Sequence, residues 1–416
     1  MAVTPGALRL LFFTREDFPS ERVDIEVLFG RELVRRGHAI DLVAQASSTA
    51  VAAGRQPWHG RVAYVGRTVG RPGFAGKALK QLRGFGHDLW ALGLARPKDY
   101  DAIQVRDKFL IAVCGILVAR VRGLKFFFWL SFPMPQGDLM HARSGNARFP
   151  AVTWLRGQFT GWLLDRWIVP LSDHIFVQSE RLKGELCARG GNPVKLTPVP
   201  MGVALVGAAA PRESRRRPGV ETTLGYLGTL DANRHLAMLI GMLRDLRDSG
   251  MVVKLLLIGD ANDPRDREAL ERQAAVCGVA DHLEITGMLP HALALERIRG
   301  ATIGLSPIYP SPIFLVGSPT KLVEYMALGL PVIANSHPEQ RAILKASGAG
   351  VCVPWGGRYF ARAARWLLRH SAEQLNTMGE KGRGWVGENR SYAKIADNLE
   401  GAYLRLLSDN ASGNRQ

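Results

Sequence analysis

Short apolar runs alternate with longer segments of helical period along the whole chain. In the first half the runs are "LRLLFF", "AIDLVA", "RVAYVG", "AIQVR", "KFFFWLS" and "HIFVQS"; in the second, "TLGYLG", "KLLLIG", "HLEITG", "TIGLSPI", "PVIAN" and "GVCV". Each is continuously hydrophobic, as a strand buried on both faces must be, and not alternating, as a half-exposed strand would be. Helical period occupies residues 24–36 and 108–122, stopped by Gly37 and Gly123, and then 234–248, 265–275 and 318–328. Buried strands separated by helices predict doubly wound parallel sheets, an α/β class.

The alternation breaks once, at "VGAAAPRESRRRPGVE", residues 206–221, which is small, charged and aperiodic and reads as a linker. It leaves two Rossmann-like domains, 1–205 and 222–388. A last helix, 389–408, carries an apolar face through Tyr392, Ile395, Leu399 and Tyr403, and residues 409–416 form a frayed tail. In such sheets ligands bind beyond the carboxyl ends of the strands, so two domains facing each other would share one cleft.

Composition changes the picture in one respect. Hydrophobic content of 47% and charged content of 22% are ordinary for a globular chain of 416 residues, but the net charge of +17 is not. It calls for an anionic partner: a nucleic acid, a phosphorylated substrate or an acidic membrane surface. The four cysteines have no C-x-x-C spacing, and Cys114 and Cys352 sit inside apolar runs, so buried thiols of a reducing cytosol are expected. No metal-ligand spacing occurs. The apolar core at the N-terminus is too short for a signal peptide, and the longest apolar run, "FLIAVCGILVA", falls short of the roughly 18–20 residues of a spanning helix.

The chemistry is densest in "SPTKLVEYMALGLPVIAN", residues 318–335. Ser318 is placed to cap the helix, Pro319 suits its first position, and Gly329 ends it. Lys321 then falls in the first turn, where the helix field disfavours a cation. It becomes sensible if an anion sits there, held by the lysine and by backbone amides of Gly317, Ser318 and Thr320. A solvent-exposed lysine tolerating a small penalty is the bland alternative. Glu324, one turn on, shares the face and could pair with the lysine or accept hydrogen bonds from ligand hydroxyls. In "YLGTLDANRHLAMLI" a strand ends at Gly228 and Arg234 opens the next helix, adding a second cation at a strand's carboxyl edge. Arg234, Lys321 and Glu324 together suit a diphosphate attached to a polyol.

With these residues in place the sequence resembles the family-four (group 1) retaining glycosyltransferases of the GT-B fold. The resemblance is strongest in "SPTKLVEYMALGLPVIANSHPEQRAIL" and is supported by "FGRELVRRGHAIDLV", "VQSERLKGEL", "VPMGV" and "YLGTLDANR". It implies that Arg234 and Lys321 grip the donor diphosphate, that Glu324 holds the ribose hydroxyls, and that the loop near Met288 receives the base. It also implies that the last helix crosses back to brace the first domain. The donor would be a UDP- or GDP-linked sugar, with no metal and no other cofactor. Two positions depart from the family: Val316 stands where a glutamate eight residues before Glu324 is usual, and Thr229 stands where many relatives have arginine.

The first domain should take a glycan or lipid-linked acceptor. Asp17, Glu21, Arg22 and Asp24 in "TREDFPSERVDIE", and Ser131, Asp138 and His141 in "WLSFPMPQGDLMH", are its polar candidates, with Asp17, Asp138 and His141 considered for catalysis. Solvation of loops is the competing reading of each. Residues 67–98 carry Arg67, Arg71, Lys77, Lys80, Arg83, Arg96 and Lys98 against one acid, Asp88, with Phe74, Leu79, Leu82, Phe85, Leu89, Trp90 and Leu92 interleaved. Such a stretch suits an anionic leaflet, and relatives that glycosylate lipid-linked acceptors during bacterial envelope or exopolysaccharide assembly point the same way. The expectation is a cytoplasmic protein, peripheral on the inner face of the membrane. Alternatives are a GT-B-fold nucleotide-sugar 2-epimerase, whose carboxylate and histidine set is not apparent, and a non-catalytic basic binding protein. Nucleic-acid binding finds no zinc spacing, aromatic signature or concentrated basic helix.

Overall fold

The computed structural model describes residues 7–70, 73–143, 147–205 and 221–413, with Phe74 and residues 409–413 described in backbone only. The chain divides into two compact units, one running to Pro200 and resuming at Tyr392, the other spanning Met201–Ser391. The stretch read as a linker lies outside the described residues except for Glu221.

The first unit is built on eight strands: β1 (Arg9–Phe18), β2 (Ala39–Ala46), β3 (Gly54–Trp58), β4 (Arg61–Gly66), β5 (Ala102–Arg106), β6 (Lys125–Leu130), β7 (His174–Val177) and β8 (Leu196–Pro198). Their order is β3-β4-β2-β1-β5-β6-β7-β8. All neighbours are parallel except β3, which pairs antiparallel with β4 at one edge. That hairpin escaped the periodicity. It closes through His59 and Gly60, both at positive φ (43° and 78°), the geometry a two-residue hairpin turn requires. A second difference lies after "LLFF": where a loop was expected, Arg15–Phe18 continue β1 beyond a bulge, so that Asp17 pairs with Gln45 and Phe18 with Ala46 of β2.

Four helices of this unit matter below: α1 (Gly73–Leu92), α2 (Phe109–Arg122), α3 (Met134–Arg143) and α4 (Pro150–Leu163). α2 ends as its glycine predicts, with Gly123 left-handed at φ 68°. The core on one side of the sheet includes Phe12, Phe29, Leu42, Phe127, Trp129 and Phe176. The final helix, Tyr392–Gly413, contributes Tyr392, Ile395, Ala396, Leu399 and Tyr403 to that same core. Arg36 reaches Asp397 at 2.6 Å and Glu400 at 3.3 Å, and His38 meets Glu400 at 2.9 Å. The Tyr403 hydroxyl donates to Gln104 Oε1 at 2.5 Å, in the interior.

The second unit has six parallel strands: β9 (Thr222–Leu227), β10 (Val253–Ile258), β11 (Leu283–Ile285), β12 (Ile303–Ser306), β13 (Val332–Asn335) and β14 (Gly350–Val353). The order β11-β10-β9-β12-β13-β14 reverses direction beside β9, as a doubly wound sheet does. Separate apolar clusters cover its two faces. The helix predicted at 318–328 is α5 (Thr320–Ala327), and the one predicted to open at Arg234 begins at Ala237 instead. Arg234 ends a single 3₁₀ turn, Ala232–Arg234, and His235 behind it takes a left-handed conformation (φ 52°) that breaks the helix path. Cys114 and Cys352, expected in the core, are half-buried.

The final helix gives a direct test of the first core. Tyr403→Ala should lower the unfolding free energy by ~3–5 kcal/mol through cavity formation. Tyr403→Phe, which removes the hydroxyl and strands Gln104, should cost about 1–2 kcal/mol. Denaturant titration followed by tryptophan emission reads both, and a Tyr403→Phe variant as stable as the parent would argue against the hydrogen bond to Gln104.

Candidate functional site

In the second unit three neighbouring strands end in glycines at positive φ: Gly228 after β9 (147°), Gly259 after β10 (132°) and Gly287 beyond β11 (73°). A Cβ on Gly259 would fall 2.2 Å from the Gly228 carbonyl oxygen, and one on Gly228 would fall 2.3 Å from Cε of Lys321. Only glycine lets the backbone lie this low. The side chain of Lys321, from the first turn of α5, therefore runs across the end of β9, with its ammonium 5.5 Å from the Tyr226 ring centroid.

Arg234 lies on the same side. Its Nε donates to Thr229 Oγ1 at 3.3 Å, and its guanidinium stands 5.1 Å from the Phe314 ring centroid. Each cation is thus seated on an aromatic face, a favourable but weak partner. Among the described residues neither makes an ion pair with a carboxylate within 4.0 Å. Burial, and then the neighbouring charge of Arg234, lower the Lys321 ammonium to about 8, with Glu324 opposing. Two cations held together, with no carboxylate in ion-pair contact with either among the described residues, form a site suited to an anion.

Glu324 is half-buried one turn along α5, with Oε1 3.4 Å from His291 Nε2. The hydrogen bond and the charge of Glu324 raise the histidine above its ordinary value. His291 opens the helix His291–Arg299 directly after the loop that holds Met288, which is 71% exposed. Sequence reading chose Met288 and missed His291; a histidine at a helix start just beyond a strand was the available signal.

Two expectations on the α5 approach need correction. Ser318 does not cap the helix: Pro319 occupies the cap position and no side chain bonds the first-turn amides. The Ser318 hydroxyl instead accepts from the Met201 amide at 3.0 Å and donates to Glu339 Oε1 at 2.8 Å, while Glu339 pairs with Arg390 at 2.7 Å. The Gly317 amide is also engaged, donating to the Phe314 carbonyl at 3.1 Å. Hence Thr320 and Lys321, not Gly317, lie at the uncapped helix start. Val316 is 1% exposed, so that position presents no side chain to a ligand. Nearby, His235 stacks on Tyr309 with centroids 3.8 Å apart, and Tyr309 meets Trp355 edge-on at 5.6 Å. No local signal linked these three residues.

In the first unit the predicted acceptor residues separate. Asp24 is buried and 2.7 Å from Nη1 of Arg106, itself wholly buried; Arg22 closes on Asp24 at 3.2 Å. Burial alone would raise Asp24, but Arg106 and Arg22 outweigh it and hold the carboxyl below its usual range. Ser131 joins the same cluster through Asp107, donating from its amide at 3.0 Å and from its hydroxyl. Asp107 has φ 56°, and burial raises its carboxyl despite Arg106. Arg106 and Asp107 were missed, although a charged pair ending the apolar strand "AIQV" was the visible clue.

The other candidates stand apart from this cluster. Asp17 pairs with Lys80 at 3.4 Å, and Glu21 is exposed. Asp138 is clamped in two contacts by Arg156, at 2.5 and 2.7 Å, tying α3 to α4, and His141 is exposed in the last turn of α3. Asp138 is therefore a structural partner in this arrangement. Of the basic stretch, Lys77 and Arg83 are exposed on α1, and Asp88 is buried against Lys108 at 2.7 Å. Arg96 and Lys98 fall beyond the helix, while Arg71 and the Phe74 side chain lie outside the described residues. Among the described residues no group of three or more His, Cys, Asp or Glu could hold a metal ion, and no helix is long and apolar enough to cross a membrane.

Comparison with known proteins adds the family. Residues 27–206 match the model of Glycosyltransferase Family 4, and residues 221–370 match that of Glycosyl transferases group 1. A phosphatidyl-myo-inositol mannosyltransferase of Mycobacterium leprae is 26% identical over 195 residues, 47% of this chain and 49% of that protein, so the match spans about half of the relative. Among solved structures, a sucrose-phosphate synthase from Thermosynechococcus elongatus superposes with a TM-score of 0.71 at 17% identity, covering 96% of this chain and 100% of the other. HepE of Anabaena in complex with UDP gives 0.68 at 14% identity, covering 95% and 99%. With two Rossmann-like units, glycine-ended strands in the second and both halves matched, the chain belongs to the group 1 glycosyltransferases and has their GT-B fold.

Proposed function

We propose that this enzyme moves a sugar from a nucleoside-diphosphate sugar, UDP- or GDP-linked, to a glycan or lipid-linked acceptor with retention of anomeric configuration, in bacterial polysaccharide or envelope glycan synthesis. The observation that carries the donor half is the pair Arg234 and Lys321, two cations near one another with no carboxylate within ion-pair distance of either among the described residues. A diphosphate supplies the missing negative charge, and the uncapped start of α5 adds amide donors at Thr320 and Lys321.

Glu324 takes the ribose hydroxyls, with His291 fixing the carboxylate from the other side. The base lies against the loop at Met288, where Gly287 keeps the backbone open. The complexes of the structural neighbour HepE with UDP and with UDP-glucose favour uridine. Buried Val316 leaves donor-sugar recognition to other groups, and the His235–Tyr309–Trp355 stack offers an apolar face for it.

In the transfer, the acceptor hydroxyl oxygen bonds to the anomeric carbon as the bond from that carbon to the diphosphate breaks. The hydroxyl proton passes to a departing phosphate oxygen. Arg234 and Lys321 stabilise the charge that develops there, so catalysis rests on position and electrostatics. The network of Arg22, Asp24, Arg106, Asp107 and Ser131, at the carboxyl edge of β1, β5 and β6, is the acceptor-side counterpart. Incubation with a panel of sugar nucleotides tests the whole reading: nucleotide release should depend on added acceptor lipid extract. A change in the donor sugar without acceptor would identify a 2-epimerase instead.

Three donor-side outcomes follow. Arg234→Ala and Lys321→Ala should each weaken nucleoside-diphosphate binding about tenfold to over a hundredfold in calorimetry, with the fold intact; unchanged affinity in both sinks the site. Glu324→Gln should reduce affinity for the full nucleotide more than for inorganic pyrophosphate. The lowered Lys321 sets a pH window: the free ammonium loses its proton as pH rises through about 8, so affinity should fall above that value. Binding there should take up a proton, visible in buffers of different ionisation enthalpy. Lys321→Arg, which stays charged, should abolish the slope.

A further inference from the structure

Helix α4 is inside out. Gly157 is buried against α3, where a Cβ would lie 2.9 Å from the Pro135 carbonyl oxygen, and a Cβ on Gly161 would lie 3.6 Å from Pro135 Cβ. The helix therefore packs through its small residues and turns its large ones to solvent. Val152, Leu155, Phe159 and Trp162, spaced as one helical stripe, are all exposed, Trp162 to 51%. Phe159 stacks on Trp162, and Trp167 beyond the helix continues the row. A water-soluble helix normally buries such a stripe.

The row is part of a larger face. α2 lies against both α1 and α4, and adds exposed Leu110, Leu117 and Val121, the last 88% exposed; α1 adds Leu82, Leu89 and Trp90. The three helices carry six Lys or Arg and one acid, Asp88. Lys80 pairs with Asp17 and Arg156 with Asp138, which leaves Lys77, Arg83, Arg120 and Arg122 without a carboxylate within 4.0 Å among the described residues. Asp88 is buried and neutralised by Lys108. Leu82, Leu110 and Phe159 from the three helices line one groove, and an exposed apolar surface of this kind marks a docking site. Its charge selects the partner: a second copy of the same face would bring cations against cations, whereas an anionic lipid surface satisfies both the aromatic residues and the charges.

A groove of about 1030 Å³ opens in this face between α1 and α4, over the first turn of α2. Leu82, Phe85, Phe109, Leu110 and Phe159 make it apolar, and it reaches Arg15 and Asp17 on the carboxyl end of β1. A hydrocarbon chain lying there would leave its polar head at the acceptor-side edge of the sheet.

We propose that α1, α2 and α4 seat the first unit in the interface of an anionic bilayer, with the α4 aromatic row as anchor and the groove as the slot for a lipid chain. The slot rests on the reading that the acceptor is lipid-linked; the seating does not. The full chain should sediment with vesicles of phosphatidylglycerol and phosphatidylcholine, less as salt rises and little with phosphatidylcholine alone. Lipids brominated along the chain should quench part of its tryptophan emission. Trp162→Ser with Trp167→Ser should reduce partition about tenfold or more and remove most of the quenching. Lys77→Gln and Arg83→Gln should each cost roughly fivefold. Nucleoside-diphosphate affinity should be unchanged in all three variants, so a failure of the donor site and a failure of the seating read out separately. For the slot, dioctanoyl phosphatidylglycerol below its micelle concentration should bind at least about tenfold more tightly than glycerol 3-phosphate. Partition unaffected by the tryptophan changes, equal binding to neutral vesicles, or a dimer that occludes the face would overturn the seating; equal binding of the two soluble probes would overturn the slot.

Discussion

Two positive charges are held within reach of each other at the end of β9 with no carboxylate within ion-pair distance of either among the described residues, and the second unit is shaped around that constraint. Lys321 can cross the strand end only because Gly228 has no side chain, and Gly228 can sit there only because Gly259 also yields its space. Tyr226 and Phe314 provide aromatic faces where carboxylates would otherwise stand. Neutralising the pair internally would stabilise the free protein and abolish the attraction for an anion. The cost is visible in the lowered ammonium of Lys321, a state that a bound phosphate would reverse. This is a local conflict between stability and binding of the kind functional sites retain.

The first unit solves the opposite electrostatic problem. Arg106 is completely buried, and Asp24 and Asp107 are taken out of water with it. Burying three titratable groups is tolerable only if they meet one another, as Arg106 does with Asp24 and Asp107. Asp24 is stabilised as the anion, whereas burial pushes Asp107 the other way. The two units therefore use charge differently: one keeps cations unpaired for a partner, the other fixes an acid–base network in place. The second arrangement gives position, because side chains this constrained cannot rotate away. The exposed aromatic face of α4 is a third case, in which apolar area is left without cover and surrounded by cations.

Much of the fold was legible from the chain alone, because buried parallel strands and their helices have different periods and glycines mark where the helices stop. The helix ending at Gly123, the sheet strands other than β3 and β8, and the apolar face of Tyr392, Ile395, Leu399 and Tyr403 all follow from residues close in sequence. So did the oddity of Lys321, since a cation in a helix's first turn is a local conflict. What the chain could not disclose were relations between distant residues. Ser318 looked like a cap because its competing partners, Met201 and Glu339, are remote. Arg234 looked like a helix start because the left-handed turn at His235, stacked on Tyr309, is a tertiary choice.

The sequence by itself determined most of the buried strands, the helices whose period is clear, and where charge is anomalous, since those depend on neighbours within a turn or two. Only the tertiary structure decided what each face meets. It paired Arg106 with Asp24, set His291 beside Glu324, clamped Asp138 to Arg156, and packed α4 through Gly157 so that its aromatic stripe faces outward. The physical reason is the same throughout: periodicity reports that a surface must be covered, but the covering atoms come from parts of the chain whose approach is set by the packing of the whole unit.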